Sequence, residues 1–338
     1  MLFPRAVVLS VVALVPLASA RAQSPTAASS PAPAGRSLYL AECSGCHGVN
    51  GDGKGQADPA LTRQPRDFTR GKFKFRSTDT QKAISDDELF QTITTGIAGT
   101  AMPSFRYLSA DDRRQLVGYV RYLAHLQGVE AGTPIAVAGP PAATPELVAH
   151  GRELYARLGC PVCHGPEGRG DGPAATALKD ESGAPDPPPD LTRAPYPGGD
   201  SAKDVYLRVT LGVPGTPMPG YAEVASDAER WALVAYLDSI RQPSPPPPGD
   251  PVERGKLVME RYHCLACHQL KGAGGQIGPA LDTTAQKLRP EALRAYLADP
   301  RAQASTGTTS RMPQQFLEPD EIDAVVAYLT AVGPPPVH

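Results

Sequence analysis

Apolar residues return at helical spacing in three separated places along the chain. Leu116, Val117, Val120 and Leu123 form the first stripe, with Tyr119 and Tyr122 between them. Trp231, Val234, Ala235 and Leu237 form the second, and Ile322, Val325, Val326 and Leu329 the third. Each stripe predicts an amphipathic helix that closes a unit. Start signals agree: Ser226 with Glu229 is a capping box, Ser109 with Asp112 approximates one, and Pro319 suits a first helical position. A second helix is expected to open each unit and to carry a glycine, at Gly35, Gly151 and Gly255. The missing side chain would let the closing helix approach, with Tyr119, Tyr236 and Tyr328 facing it. Met259, midway along the third opening helix, reads as core filling.

The N-terminus has a different pattern. Behind Arg5, residues 6–17 form an apolar stretch too short to span a bilayer comfortably, and small residues follow. Residues 1–22 therefore read as an export signal, with cleavage expected after Ala22 and an uncleaved anchor as the alternative. No later stretch has the uninterrupted apolar length of a membrane span. A periplasmic location is expected.

The units repeat. Gly35-Arg36-Ser37-Leu38-Tyr39 matches Gly151-Arg152-Glu153-Leu154-Tyr155, and Asp67-Phe68-Thr69-Arg70 matches Asp190-Leu191-Thr192-Arg193. The segment from Gly96 to Phe105 likewise matches that from Gly212 to Tyr221. The third unit keeps only the outline, so the chain reads as a duplicated pair plus a more distant third copy. Expected limits are a disordered stretch at 23–34, then units at 35–128, 146–242 and 251–333. Pro-rich linkers fall at 129–145 and 243–250; the second contains four consecutive prolines and should be extended and stiff.

Pro and Gly together make 71 of 338 residues (38 and 33), a share that fits small loop-rich domains needing something besides apolar side chains to complete their cores. A net charge of −2 argues against nucleic acid as a partner. Charge is nevertheless uneven. The first unit has 13 Lys+Arg against 10 Asp+Glu, the second 9 against 14. Arg63, Arg66, Arg70, Lys72, Lys74 and Arg76 cluster in the first, with only Asp67 opposing. Two readings stay open for that patch: steering of an acidic redox partner, or cations that are solvated or face the acid groups of a cofactor.

The six cysteines all fall in three C-x-x-C-H pentapeptides: Cys43, Cys46 and His47; Cys160, Cys163 and His164; Cys264, Cys267 and His268. Disulfides or zinc sites would use the cysteines but leave the three histidines unexplained. C-x-x-C-H is the attachment motif of c-type haem, with two thioethers to the porphyrin and the adjacent imidazole on the iron. About fifty residues after each stands a Met-Pro pair, at Met102, Met218 and Met312. A methionine thioether opposite the histidine completes a six-coordinate iron and raises its potential, and the proline stiffens the loop that presents it. With every iron given two ligands, His125, His150, His263 and His338 read as surface, linker or structural residues.

With opening helix, C-x-x-C-H, Gly/Pro loop, Met-Pro loop and closing L-V-x-Y-type helix, the chain resembles the class I c-type cytochromes. The resemblance covers essentially residues 35–333 outside the linkers, and the first two units resemble the paired domains of bacterial multihaem cytochromes. It implies an all-α fold of three tandem domains and three covalently bound haem c groups. His47, His164 and His268 would be proximal ligands, and Met102, Met218 and Met312 distal ones. It also implies a carbonyl, usually a proline's, that accepts the N–H of each proximal imidazole. Pro279 fits for His268 and Pro59 fits by distance for His47. For His164 the acceptor is open, because Thr176 stands at the expected place and Pro173 lies too early. The expected function is one-electron transfer between redox protein partners, as a free carrier or as the cytochrome subunit of a dehydrogenase or oxidase complex, membrane-associated only through such a complex. The expected chain is not itself an enzyme. The competing reading is a haem enzyme, a peroxidase or thiosulfate-oxidising cytochrome, with one open distal site.

Overall fold

The computed structural model describes residues 34–61, 63–303 and 312–333. Residues 1–22, read above as an export signal, residues 23–33 behind them and His338 lie outside the described residues.

Three separate hydrophobic cores organise the chain, and each is built mainly of helices. In the first domain a short opening helix, α1 (Arg36–Glu42), is followed by α2 (Ser44–His47), α3 (Asp86–Thr95) and the closing helix α4 (Ala110–Leu123). Leu116, Val117, Val120 and Leu123 are buried with Tyr119, as their spacing predicts. The second domain repeats the plan with α5 (Pro145–Arg157), α6 (Pro161–His164), α7 (Ala202–Leu211) and α8 (Asp227–Ser239). The third has α9 (Pro251–Arg261), then a hairpin of β1 (Gln269–Leu270) and β2 (Ala273–Gly274). Lys271 and Gly272, both with positive φ, make its two-residue turn. Helices α10 (Thr284–Lys287), α11 (Pro290–Ala298) and α12 (Pro319–Val332) complete it. Among the described residues this hairpin is the one sheet in an otherwise helical fold. No helix among them is long and apolar enough to cross a membrane.

The opening and closing helices cross where glycine was expected. A β-carbon on Gly151 would lie 2.0 Å from the Ala232 carbonyl oxygen and 2.8 Å from Cβ of Tyr236. At Gly255 the corresponding distances are 2.0 Å to Ala324 and 2.7 Å to Tyr328. Gly35, expected on the helix, instead caps α1 from outside at positive φ; it meets the same turn of α4 through the Gln115 carbonyl, and Tyr39 packs on Tyr119 with ring centroids 5.0 Å apart. Met259 is buried in the third core. The capping box of Ser226 and Glu229 is formed, Ser109 accepts from the Asp112 N–H, and α12 starts at Pro319.

The domains are docked, and their order in space is not their order in sequence. The first and second meet reciprocally through their Met-Pro loops: Gly99 faces the Pro195 carbonyl, and Gly215 faces Arg66 and Glu181. The third domain returns to the first. Asp58 N–H donates to the Ala266 carbonyl at 3.0 Å, Gln276 N–H to Gln56 at 2.9 Å, and Arg301 pairs with Glu42 at 2.9 Å.

Candidate functional site

Each C-x-x-C-H loop follows an opening helix, so helix packing positions the histidine. In the first domain the Tyr39 hydroxyl, fully buried, donates to the Gly48 carbonyl at 2.8 Å, pinning the residue after His47. Tyr155 does the same for Gly165, after His164, at 2.7 Å. The methionine loops are tied alike in these two domains. Met102 and Met218 accept through their carbonyls from Ile97 and Val213 N–H, both at 3.0 Å, and their own N–H groups donate to Thr100 and Thr216 Oγ. Gly96 and Gly212 start these loops at positive φ, and a β-carbon on either would meet backbone of the Met-Pro segment near 2.5 Å. The two loops are therefore close to congruent.

One connected cavity of about 930 Å³ joins these sites. His47 and Met102 line it from the first domain, His164 and Met218 from the second, and so do Cys43, Cys46, Cys160 and Cys163. Cys267, Ile277 and Pro313 reach its wall from the third domain. The six cysteines are not joined to one another as disulfides. Burial pushes the Cys43 and Cys264 thiols up to about 12 and Cys160 to about 11, so they are neutral at physiological pH. Met312 lies partly buried against the third core, and Gly278 abuts the His268 ring so closely that a β-carbon there would be 2.4 Å from it.

All three proximal-candidate histidines are held neutral by burial. His47 is lowered to about 4, and its ring stacks on Phe68 at 4.4 Å between centroids. His164 and His268 are lowered for the same reason. A neutral imidazole keeps a nitrogen lone pair for a metal.

The hydrogen-bond acceptors correct one expectation and fill a gap. Pro279 does accept from His268 Nδ1, at 2.8 Å. His47 Nδ1 instead bonds the Arg66 carbonyl at 3.0 Å, while the Pro59 carbonyl takes the Gln64 amide. Arg66 stands directly before the Asp67-Phe68-Thr69-Arg70 segment. Asp67 accepts from Thr69 N–H and hydroxyl, and the turn so formed fixes the carbonyl ahead of it. In the second domain the matching turn, Asp190 with Thr192, places Pro189 beside His164. That carbonyl favours the protonated ring, yet His164 Nδ1 is buried without a partner in hydrogen-bonding geometry. The repeated Asp-apolar-Thr-Arg segment was the available signal; residue type and distance from the histidine were not.

The basic cluster of the first domain serves neither of the two roles left open for it alone. Lys72 and Arg66 reach Glu181 at 2.8 and 3.5 Å, Lys74 reaches Asp186 at 3.1 Å, and Arg70 bonds the Glu181 carbonyl. Arg63 bonds the Pro187 carbonyl, and Arg76 turns inward onto Thr78 and neighbouring carbonyls. The patch is spent largely on docking the acidic second domain. One donor is left over. Arg66 Nη2 is buried, lacks a partner and belongs to a residue lining the cavity. An anionic group in the cavity would satisfy it. The donor set suits haem: paired thiols, neutral imidazole, facing thioether and a waiting guanidinium for a carboxylate.

Comparison with known proteins agrees. The family described as cytochrome c matches residues 148–241 and 252–333, together more than half of the chain. The chain belongs to the cytochrome c family. Residues 30–120 match the model described as cytochrome c oxidase, cbb3-type, subunit III. Among solved structures, a chain of the Kuenenia stuttgartiensis reducing HAO-like protein complex is similar, with 36% identity and a TM-score of 0.59. The match covers 62% of this chain and 96% of that one. No curated protein matches. Cytochrome c domains carry covalently bound haem c, a group that supplies one-electron chemistry at iron and has electron transfer as its general role.

Proposed function

We propose that this cytochrome is a periplasmic three-haem protein, with the first two domains a duplicated pair, that passes single electrons between redox protein partners as the cytochrome subunit of an oxidoreductase complex. The observation that carries this reading is the shared cavity, where a neutral histidine and a methionine from each of two domains face one space beside their cysteine pairs. His47 with Met102, His164 with Met218 and His268 with Met312 would be the ligand pairs, and the six cysteines the attachment points. Filling both axial positions shields each iron from substrate, which favours electron transfer over catalysis. Subunit status draws support from the similar chain, which is part of a protein complex.

Haem quantitation and intact-mass measurement on protein exported from a c-type maturation host test it. Three covalent haems and six-coordinate low-spin spectra at every site are expected. Fewer than three haems, or rapid unaided consumption of peroxide, would overturn the reading.

A further inference from the structure

The cysteine loops of the first and third domains are docked on each other. Cys46 and Cys267, 221 positions apart in the chain, both line the large cavity at this contact. Around them the backbone bonds from Asp58 to Ala266 and from Gln276 to Gln56 form a two-rung junction. Ile277 packs on Gly45, where a β-carbon would lie 3.1 Å from it, so a larger residue there would press the loops apart. Outside the junction, Arg301 pairs with nearly buried Glu42, and Arg106 stacks over Phe316 at 3.6 Å. A cysteine that would hold one haem thus lines the same cavity wall as one that would hold another. The first domain also shares the large cavity with His164 and Met218 of the second, and Cys267 and Ile277 of the third reach the same wall.

We propose that the first domain is the middle station of the electron route, so that electrons pass second–first–third or the reverse, and that the Cys46–Cys267 junction is the step to the third domain. This rests on the three-haem reading above. The step moves one electron from the reduced to the oxidised centre and neither makes nor breaks a bond. The chain's part is to hold two cysteine-bearing edges together, with Glu42, Arg301 and Ile277 as positioning residues.

The test uses the full holoprotein with Arg301→Glu, Ile277→Arg and the charge swap Glu42→Arg/Arg301→Glu. Haem content and axial-ligand spectra are measured first, which separates failure of the three-haem reading from failure of this one. Soret circular dichroism then reports coupling between neighbouring haems, and pulsed reduction reports internal electron equilibration. With three haems retained, Arg301→Glu and Ile277→Arg should each collapse one exciton couplet. They should also slow equilibration with the third site by an order of magnitude, leaving the first–second step unchanged, and the charge swap should restore both signals. Wild-type coupling and wild-type equilibration of the third site in both variants would overturn the proposal. So would slowing that the charge swap fails to reverse.

Discussion

The ion pair between Lys74 and Asp186 gives the sharpest quantitative test of how the first two domains are joined. The charged atoms are 3.1 Å apart, and the side chains are only 19% and 10% exposed. At an effective dielectric constant near 20 the gross attraction is about 5 kcal/mol. Desolvation removes part of it, and burial already pulls Lys74 below the ordinary lysine range despite the nearby Asp186. Asp186→Asn would leave that ammonium facing an uncharged amide, at a cost of about 3 kcal/mol, the low end for breaking a buried pair. Trp231, the sole tryptophan and buried in the second domain, reports unfolding of that domain by fluorescence. A double-mutant cycle with Lys74→Met, read by denaturant unfolding of the holoprotein, should give a coupling of about 2 kcal/mol. Because the pair is shielded, added salt should change it little. A coupling below about 0.5 kcal/mol, the value of an exposed pair, would refute the reasoning and make the contact incidental.

Other outcomes follow from local geometry. Gly255→Ala should destabilise the third domain by about 3 kcal/mol, since the new methyl meets backbone that cannot turn aside; thermal unfolding checks it. Burial acts against ionisation of Glu88, yet hydrogen bonds from Ser85, Ser77 and Thr78 hold its carboxyl below the usual glutamate range. Its folded-state pKa is depressed, so its stabilisation is complete above pH 4.5 and fades as pH falls through the folded value. Glu88→Gln should therefore cost about 2 kcal/mol at pH 7, and the gap to wild type should close in acid denaturation profiles below pH 4.5. On the proposed ligand set, a haem held by His164 should have a higher potential than one held by His268. Only the latter histidine has a well-formed bond to a carbonyl, which makes the ligand more basic and favours oxidised iron. Spectroelectrochemical titration, with Met218→His to mark the second site, checks the order.

Periodic features were readable from the residues and aperiodic ones were not. The stripe from Leu116 to Leu123 and the glycines at 151 and 255 obey a 3.6-residue repeat that one helix imposes on another, so their contacts follow from spacing. The acceptor for His47 depends on loop length instead. It lies 19 residues on, against 11 for His268, and is chosen by an Asx turn that no periodicity reveals. The destination of the basic cluster was likewise hidden, since charge composition can show that two domains attract but not which lysine meets which carboxylate. Spatial order was the least legible. A proline tether reads as a spacer, and nothing in a spacer says which neighbour the next domain will choose.

That tether now has a definite task. Residues 243–250 could extend about 25 Å in a polyproline conformation, at about 3.1 Å per residue. They carry the chain away from the domain it has just completed and deliver its last portion to a partner made some two hundred residues earlier. The prolines thus supply a high effective concentration for that reunion, and recognition alone selects the seat. Lengthening this stretch with glycine and serine would dilute the encounter while leaving every contact at the seat intact.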